Sequence, residues 1–261
     1  MNKSVYFLVI IMFVISFNNS FADRRYFGRS YLAYTLPSGA LEFELWNTGR
    51  IGKYSGFYYQ FQPRFEFEYG VTDRLSTSFY FNFDQVTAED NSFVSKPLAF
   101  SSTSIEMRYR ITNPDEFVVD PALYFEFSYG GDFLGYETKA IFSKRFGSLI
   151  TVVNLSAEVE REIIDAENET EFEITGGAMY DINPNIAFGL EFRNNRGYEG
   201  IFKSQAAQAT FLGPTINFQT QSIYLTINFL TQVAGSPVTT GNLDLIHHEK
   251  YELRTILGIE L

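Results

Sequence analysis

The residues best suited to chemistry in this sequence of 261 residues are two adjacent histidines, His247 and His248, with Asp244 and Glu249 close by. A histidine that is oriented by an acid and placed beside a serine hydroxyl activates the nucleophile of many hydrolases. The serines that predicted loops could bring to such a base are Ser92, Ser204 and Ser236. A histidine pair among acids could also bind a divalent metal ion. Because no spacing in this region fixes a geometry, we expect solvated loop histidines and predict neither a catalytic nor a metal site.

Other catalytic patterns are unspecific or absent. Asp84 and Asp90 could form a pair like that of an aspartic protease, but acids occur throughout the chain. The chain has no cysteine, which excludes disulfides, thiolate metal sites and cysteine nucleophiles. Glycine-rich phosphate loops and HExxH motifs are also absent from the sequence. We therefore predict no cofactor and no enzyme activity.

The remaining charged residues alternate strictly with apolar ones. Residues 41–45 read LEFEL and residues 65–69 read FEFEY, so apolar and charged side chains face opposite sides of a strand. We count 12 such segments between Ala40 and Leu261, most of about 9–12 residues, the length that a tilted strand needs to cross a bilayer. Aromatic residues make up 18% of the chain, with 28 Phe and 17 Tyr, and they favour strands over disorder.

The amino terminus has the layout of a secretory signal peptide. Lys3 precedes an apolar run over residues 5–17, and a small-residue pattern ends at Ala22. The run of 13 residues is shorter than the roughly 20 that a membrane-spanning helix needs. We predict a signal peptide over residues 1–22, a short periplasmic segment over 23–38 and one barrel domain over 39–261. Whether the segment 23–38 instead enters the barrel as a plug stays open.

Three features favour an all-β, antiparallel, up-and-down barrel in the outer membrane of a bacterium over a soluble sandwich or barrel. Short predicted turns, which face the periplasm in such barrels, alternate with mostly longer loops. The longer loops are predicted at 47–56, 87–98, 163–169, 195–207 and 234–249. The strands that lead to the short turns end in an aromatic girdle of Tyr69, Tyr109, Phe146, Tyr180 and Phe218. The terminal strand resembles the signal that outer-membrane assembly machinery recognises, with Leu261 in place of the usual aromatic residue.

The polar strand face must line the lumen of a membrane barrel, because the apolar face meets lipid. This face carries more acids than bases. The residues predicted to line the lumen include Glu42, Glu44, Arg64, Glu66, Glu68, Glu106, Arg108, Arg110, Glu126, Glu191, Arg193, Glu252 and Arg254. Such charges need water or each other. A water-filled lumen would solvate them, whereas a narrow lumen would pair them into an arginine–glutamate network.

These features predict a channel or facilitator for a small solute, because charged linings set the selectivity of pores. The expected partners are outer-membrane lipid, the assembly machinery and that solute. A formal charge of −11 and a pI near 4.7 argue against nucleic acid as a partner. Two alternatives stay open: a non-conducting surface or structural barrel that binds a partner through its loops, and an outer-membrane hydrolase with His247 or His248 as its base.

Five segments resemble a family of uncharacterised predicted outer-membrane barrels. They are residues 36–46, 65–75, 191–194, 211–214 and 252–254, and the likeness spans most of the chain from about Tyr31 onward. The first two segments are also loosely similar to barrels assigned to a phenol-degradation pathway. The resemblance implies a barrel fold, and it implies no particular activity.

Overall fold

The computed structural model describes residues 25–54, 56–89 and 94–261. The predicted signal peptide, Asp23, Asp90 and Ser92 lie outside these described residues. The described chain forms 12 strands: β1 (Leu41–Ile51), β2 (Tyr58–Thr72), β3 (Leu75–Ala88), β4 (Lys96–Arg110), β5 (Asp120–Tyr129), β6 (Phe133–Phe146), β7 (Leu149–Glu162), β8 (Asn168–Asn183), β9 (Ile186–Glu199), β10 (Ser204–Gln219), β11 (Ile223–Ser236) and β12 (Tyr251–Glu260). Within the described ranges, no helix is long and apolar enough to span a membrane.

Each strand pairs antiparallel with its neighbours in the sequence, and β12 pairs with β1 to close a barrel. The closing register runs from Glu42 opposite Glu260 to Ile51 opposite Tyr251. Closure leaves no strand edge unpaired, which removes the usual site of edge-to-edge aggregation. The predicted fold, an up-and-down barrel of 12 antiparallel strands, is therefore confirmed.

The outer wall is apolar and aromatic. Phe65, Phe67, Phe79 and Phe81 point outward with 37–43% of their surface exposed, and the rings of Phe79 and Phe81 meet edge to face at 5.0 Å. The five aromatic residues of the predicted girdle are also exposed, at the end of the barrel where the short turns lie. A lipid-facing surface accounts for this exposure, because exposed aromatic rings at such density would be unfavourable in water.

The predicted contrast between short turns and long loops is weaker in the structure. β4 begins at Lys96 and β10 at Ser204, both inside stretches predicted as loops. Strand pairing continues beyond the segments of strict alternation, as between Val86 and Lys96 and between Glu199 and Ser204, so the strands are longer than the sequence pattern indicates. Only the connection 237–250 remains long among those at the end opposite the short turns. We call that end the loop end and the other the turn end; the turn-end connection 111–119 is longer than expected.

The segment before β1 lies inside the barrel rather than in the periplasm, which corrects its predicted location. We call residues 25–38 the plug. Phe27, Ala33 and Leu36 are at most 1% exposed, and the plug's apolar side chains pack against Ile150 and Met179 of the inner wall. No periodic pattern in residues 25–38 indicates this placement, because an irregular segment buries its side chains without a repeat.

The inner wall supplies hydrogen-bond acceptors for the plug backbone. The amide of Tyr31 donates to Asn154 Oδ1 at 2.6 Å, that of Ala33 to Ser143 Oγ at 3.0 Å and that of Leu36 to Ser76 Oγ at 2.9 Å. Buried backbone amides need such partners. The small polar residues on β3, β6 and β7 therefore hold the plug in the half of the lumen nearer the turn end.

Candidate functional site

The strand register aligns glutamates into one row along the inner wall. Residues that stand directly opposite one another on successive strands form this row, which Ser78 alone interrupts between β1 and β8. From β12 onward its members are Glu260, Glu42, Glu68, Ser78, Glu106, Glu126, Glu137, Glu158 and Glu171. Like charges directly opposite each other are destabilising. The repulsion within this row must therefore be offset by hydrogen-bond donors, cations or solvent. The two halves of the lumen differ in which of these they provide.

Buried donors neutralise the row beside the plug. Arg108, 1% exposed, donates from Nη2 to both oxygens of Glu68 at 2.7 Å and lies 3.4 Å from Glu106 Oε1. The hydroxyl of Tyr224 donates to Glu42 Oε1 at 2.8 Å. The hydroxyl of Tyr124 does the same for Glu126, at 2.5 Å. This half of the lumen is thus a paired network, as the narrow-lumen alternative requires.

Arg25 of the plug compensates a second acid pair. Its Nε donates to Glu44 Oε1 at 3.2 Å, and its Nη2 lies 3.6 Å from Glu66 Oε1. Glu44 and Glu66 stand opposite each other on β1 and β2 and are both fully buried. The Arg25 guanidinium also lies 3.8 Å from the ring centre of Tyr31. The plug therefore brings its own cation to a site where two carboxylates meet.

Glu191 holds the turn of the plug. Its carboxylate accepts the backbone amides of Gly28 at 2.9 Å, Arg29 at 2.8 Å and Ser30 at 2.6 Å. Asn228 Nδ2 donates to it at 2.9 Å. These four donors satisfy the oxygens of a fully buried carboxylate, which would otherwise lack hydrogen-bond partners inside the barrel.

A cavity of about 650 Å³ occupies the other half of the lumen, toward the loop end. One wall is basic and comes from β1, β2, β9, β12 and the plug. It consists of Arg29, Arg50, Arg64, Arg193 and Arg254. The other wall is acidic and comes from β6, β7 and β8. It consists of Glu137, Glu158, Glu160, Glu169, Glu171 and Glu173, with Lys139 as its one base. In a ring of 12 strands β7 stands opposite β1, so the two charges face each other across the cavity.

Two arginines of the basic wall form no ion pair among the described residues. Arg64 donates to Asn82 Oδ1 at 2.7 Å, and Arg254 donates to Thr48 Oγ1 at 2.9 Å. Neither forms an ion pair with any carboxylate of the described residues. Their guanidinium carbons lie 5.5 and 5.3 Å from the ring of Trp46, the only tryptophan of the chain.

The other bases of this wall are paired. Arg29 forms a bidentate contact with Glu252, and Arg193 lies 2.6 Å from Glu173 and 3.0 Å from Glu249. Such ion pairs offset the desolvation penalty of a buried charge. They leave Arg64 and Arg254 as the bases with donor capacity toward a bound anion.

The acidic wall is mostly uncompensated. Glu158 stands opposite Glu171, and Glu160 stands opposite Glu169. Among the residues that the structure describes, none of these four forms an ion pair; Glu171 accepts one hydrogen bond from Asn195 at 2.7 Å. This wall faces the cavity and attracts cations.

The predicted lumen residues lie in three settings. Ten are buried inside the barrel: Glu42, Glu44, Glu66, Glu68, Glu106, Arg108, Glu126, Glu191, Arg193 and Glu252. Arg64 and Arg254 line the cavity, as do Glu126 and Arg193 of the buried set. Arg110 lies at the turn end, where Nη2 donates to the backbone oxygen of Asp73 at 2.7 Å. Arg110 is therefore at the rim and does not line the cavity.

Two features of this site were not predicted from the sequence. Trp46 continues the inward positions of Glu42 and Glu44, so the period of two could have identified it. Arg25 and Arg29 lie in the plug, where no period exists, and only the folded structure shows that they meet wall carboxylates.

The histidines form a compact loop structure. Asp244, fully buried, accepts from the Nδ1 side of His247 at 2.8 Å, so this pair has the orientation of a general base. Ser204 and Ser236, the predicted nucleophiles within the described residues, make no hydrogen bond to either histidine. Burial, aided by the nearby Arg193, lowers the pKa of His248 to about 4. No group of three or more potential metal ligands occurs in the described part of the chain.

Comparison with solved structures gives two informative similarities. The outer membrane channel COG4313 from Pseudomonas putida F1 aligns with a TM-score of 0.63 and 13% identity, over 88% of this chain and 98% of that one. The NanC porin aligns with a TM-score of 0.53 and 14% identity, over 84% of this chain and all of that one. No curated protein matches the sequence.

Fold and lining together define an outer-membrane β-barrel, similar in fold to channels and porins, with its outer wall in lipid. Within this class, the chain belongs to DUF6662, a family of unknown function whose model matches residues 19–261. The predicted kinship with uncharacterised outer-membrane barrels and the predicted outer-membrane location are thereby confirmed.

Proposed function

We propose that this protein lets a small charged solute cross the outer membrane. The cavity between the basic and acidic walls is the solute site, and the plug closes the path toward the turn end until it shifts. The observation that carries the proposal is the cavity of about 650 Å³, whose lining includes arginines and glutamates that form no ion pair among the described residues. That volume falls within the roughly 300–1,000 Å³ of typical small-molecule sites.

The cavity favours this function over a purely structural barrel. Packing alone would be served by pairing every charge, as happens beside the plug. Instead Arg64, Arg254, Glu158 and Glu171 face open space without ion pairs among the described residues. The described loops at the loop end are also short except for 237–250, which limits the surface available to a protein partner.

We also propose that the barrel is not an enzyme. The Asp244–His247 pair has an orienting acid, but a base of this kind needs a nucleophile or a bound water in contact. No serine hydroxyl among the described residues is hydrogen-bonded to His247. If a lipid- or peptide-hydrolysing activity is detected, its loss in His247→Ala would contradict this view.

Planar bilayers test the proposal directly. The folded full chain should give discrete conductance steps, and Glu158→Gln should lower the preference for cations in the reversal potential. Glu116→Gln is the matched control, because Glu116 is exposed in the turn-end connection 111–119 and does not line the cavity. A folded barrel that stays silent even after the plug is released, or equal reversal potentials in the two variants, would overturn it.

A further inference from the structure

We infer that the cavity selects small amphoteric solutes, which carry an anionic group at one end and a cationic group at the other. The inference rests on the proposed function and names its solute class. Two opposed walls of opposite charge, each with members that lack an ion pair among the described residues, are the basis for it.

The anionic end of the solute binds between Arg64 and Arg254. Both guanidinium groups flank Trp46 and donate only to neutral oxygens among the described residues: Arg64 to Asn82, and Arg254 to Thr48 and to the backbone oxygen of Gly28. Each has further N–H donors, because a guanidinium has five. A carboxylate, sulfonate or phosphate could accept a bidentate hydrogen bond from either.

The cationic end binds at the acidic wall. Glu158 and Glu171 stand opposite each other, so an ammonium group between them would relieve their repulsion and gain two charge-assisted hydrogen bonds. Lys139 does not supply this cation, because its Nζ lies 3.1 Å from Glu137 and over the rings of Tyr31 and Tyr124.

The geometry explains why one solute should contact both walls. The basic group comes from β2 and β12 and the acidic pair from β7 and β8, which lie across the ring from each other. A solute with only one charge satisfies one wall and leaves the other to solvent. An amphoteric solute satisfies both and aligns with the field between them.

Three ligands with the same six-carbon chain test the inference: 6-aminohexanoate, adipate and hexane-1,6-diamine. Binding to the folded full chain is followed at low salt, since salt screens such contacts. Trp46 lines the cavity as the only tryptophan, so its fluorescence reports occupancy without a label. We expect 6-aminohexanoate to bind about tenfold more tightly than either symmetric ligand, as for one extra charge-assisted contact.

Two variants test which wall of the cavity binds which end of the solute. Arg64→Gln should weaken 6-aminohexanoate about tenfold and bring its affinity close to that of the diamine. Glu158→Gln should weaken it similarly and bring its affinity close to that of adipate. Glu116→Gln should change none of the three affinities.

The outcomes separate this inference from the proposed function. Equal or stronger binding of adipate or of the diamine, or no fluorescence change with any ligand, overturns the inference. If the same barrel still gives conductance steps, the proposed function survives that failure. If no steps occur although 6-aminohexanoate binds, the proposed function fails and the cavity is a binding site only.

Discussion

Glu158 and Glu171 stand directly opposite each other on β7 and β8, face the cavity and form no ion pair within the described residues. Two like charges in this position lower the stability of a sheet. Elsewhere in the same row, Glu42, Glu68, Glu106 and Glu126 each contact a buried arginine or a tyrosine hydroxyl, and Glu137 pairs with Lys139. Under the proposed function, the uncompensated pair at the acidic wall serves solute binding at some cost in stability.

Glu158→Gln should raise the free energy of unfolding, because it removes repulsion from both Glu137 and Glu171. The expected gain is about 0.5 kcal/mol, within the range of cross-strand pairs. Urea unfolding of the folded barrel in lipid vesicles measures it, with Glu116→Gln as the control. A loss of stability would mean that Glu158 has a favourable partner.

Substitution of Arg108 should change the stability of the barrel and leave its ion selectivity unchanged. It lies beside the plug, 1% exposed, and contacts Glu68 and Glu106. Arg108→Met leaves these acids uncompensated and should cost about 3–5 kcal/mol. The double variant with Glu68→Met should recover part of that loss. A stable Arg108→Met barrel with altered reversal potential would instead place Arg108 on the solute path.

Below pH 6.5 the protein should lose stability through His248. Its pKa is about 4 in the folded chain against 6.5 ordinarily, so the unfolded chain binds more protons between these values. The free energy of unfolding should therefore fall by up to about 3 kcal/mol as the pH drops from 6.5 to 4. The free energy of unfolding should depend less on pH across this range in His248→Asn than in the unchanged protein. An equal pH dependence in the two proteins would exclude this role of His248.

Glu191→Ala should release the plug. The substitution removes the acceptor of three successive plug amides, from Gly28, Arg29 and Ser30. Hydrogen bonds to a charged group are each worth about 1.5–3 kcal/mol, so the open population should rise at least tenfold. The open probability in planar bilayers measures this change. An unchanged open probability, with folding verified, would show that Glu191 does not hold the plug closed.

The strands could be predicted from sequence because a half-buried strand repeats every two residues, as in residues 41–45 and 65–69. The same period also places Glu158 and Glu171 on the inner face. Their opposition could not be predicted, since it depends on the register between two strands and not on either strand alone. Strand ends such as Ser204 were also missed, because they lie in polar sequence that continues to form backbone ladders.

The position of the plug could not be predicted from the sequence for a different reason. Its residues have no regular spacing, and its position depends on single contacts with distant strands, such as Arg25 with Glu44 and Ala33 with Ser143. These contacts join residues far apart in the chain. Nothing in the local sequence indicates them, which is why a periplasmic location was predicted.

A disulfide between the plug and the wall tests most directly that the lumen is a passage closed by the plug. The amide of Ala33 lies 3.0 Å from Ser143 Oγ, and the chain has no cysteine of its own. Single-channel conductance of Ala33→Cys/Ser143→Cys is therefore compared in the oxidised and reduced states, with the link verified by mass spectrometry. We predict silence when the link is formed and discrete steps when it is reduced. Equal conductance in the two states would contradict a passage that the plug closes.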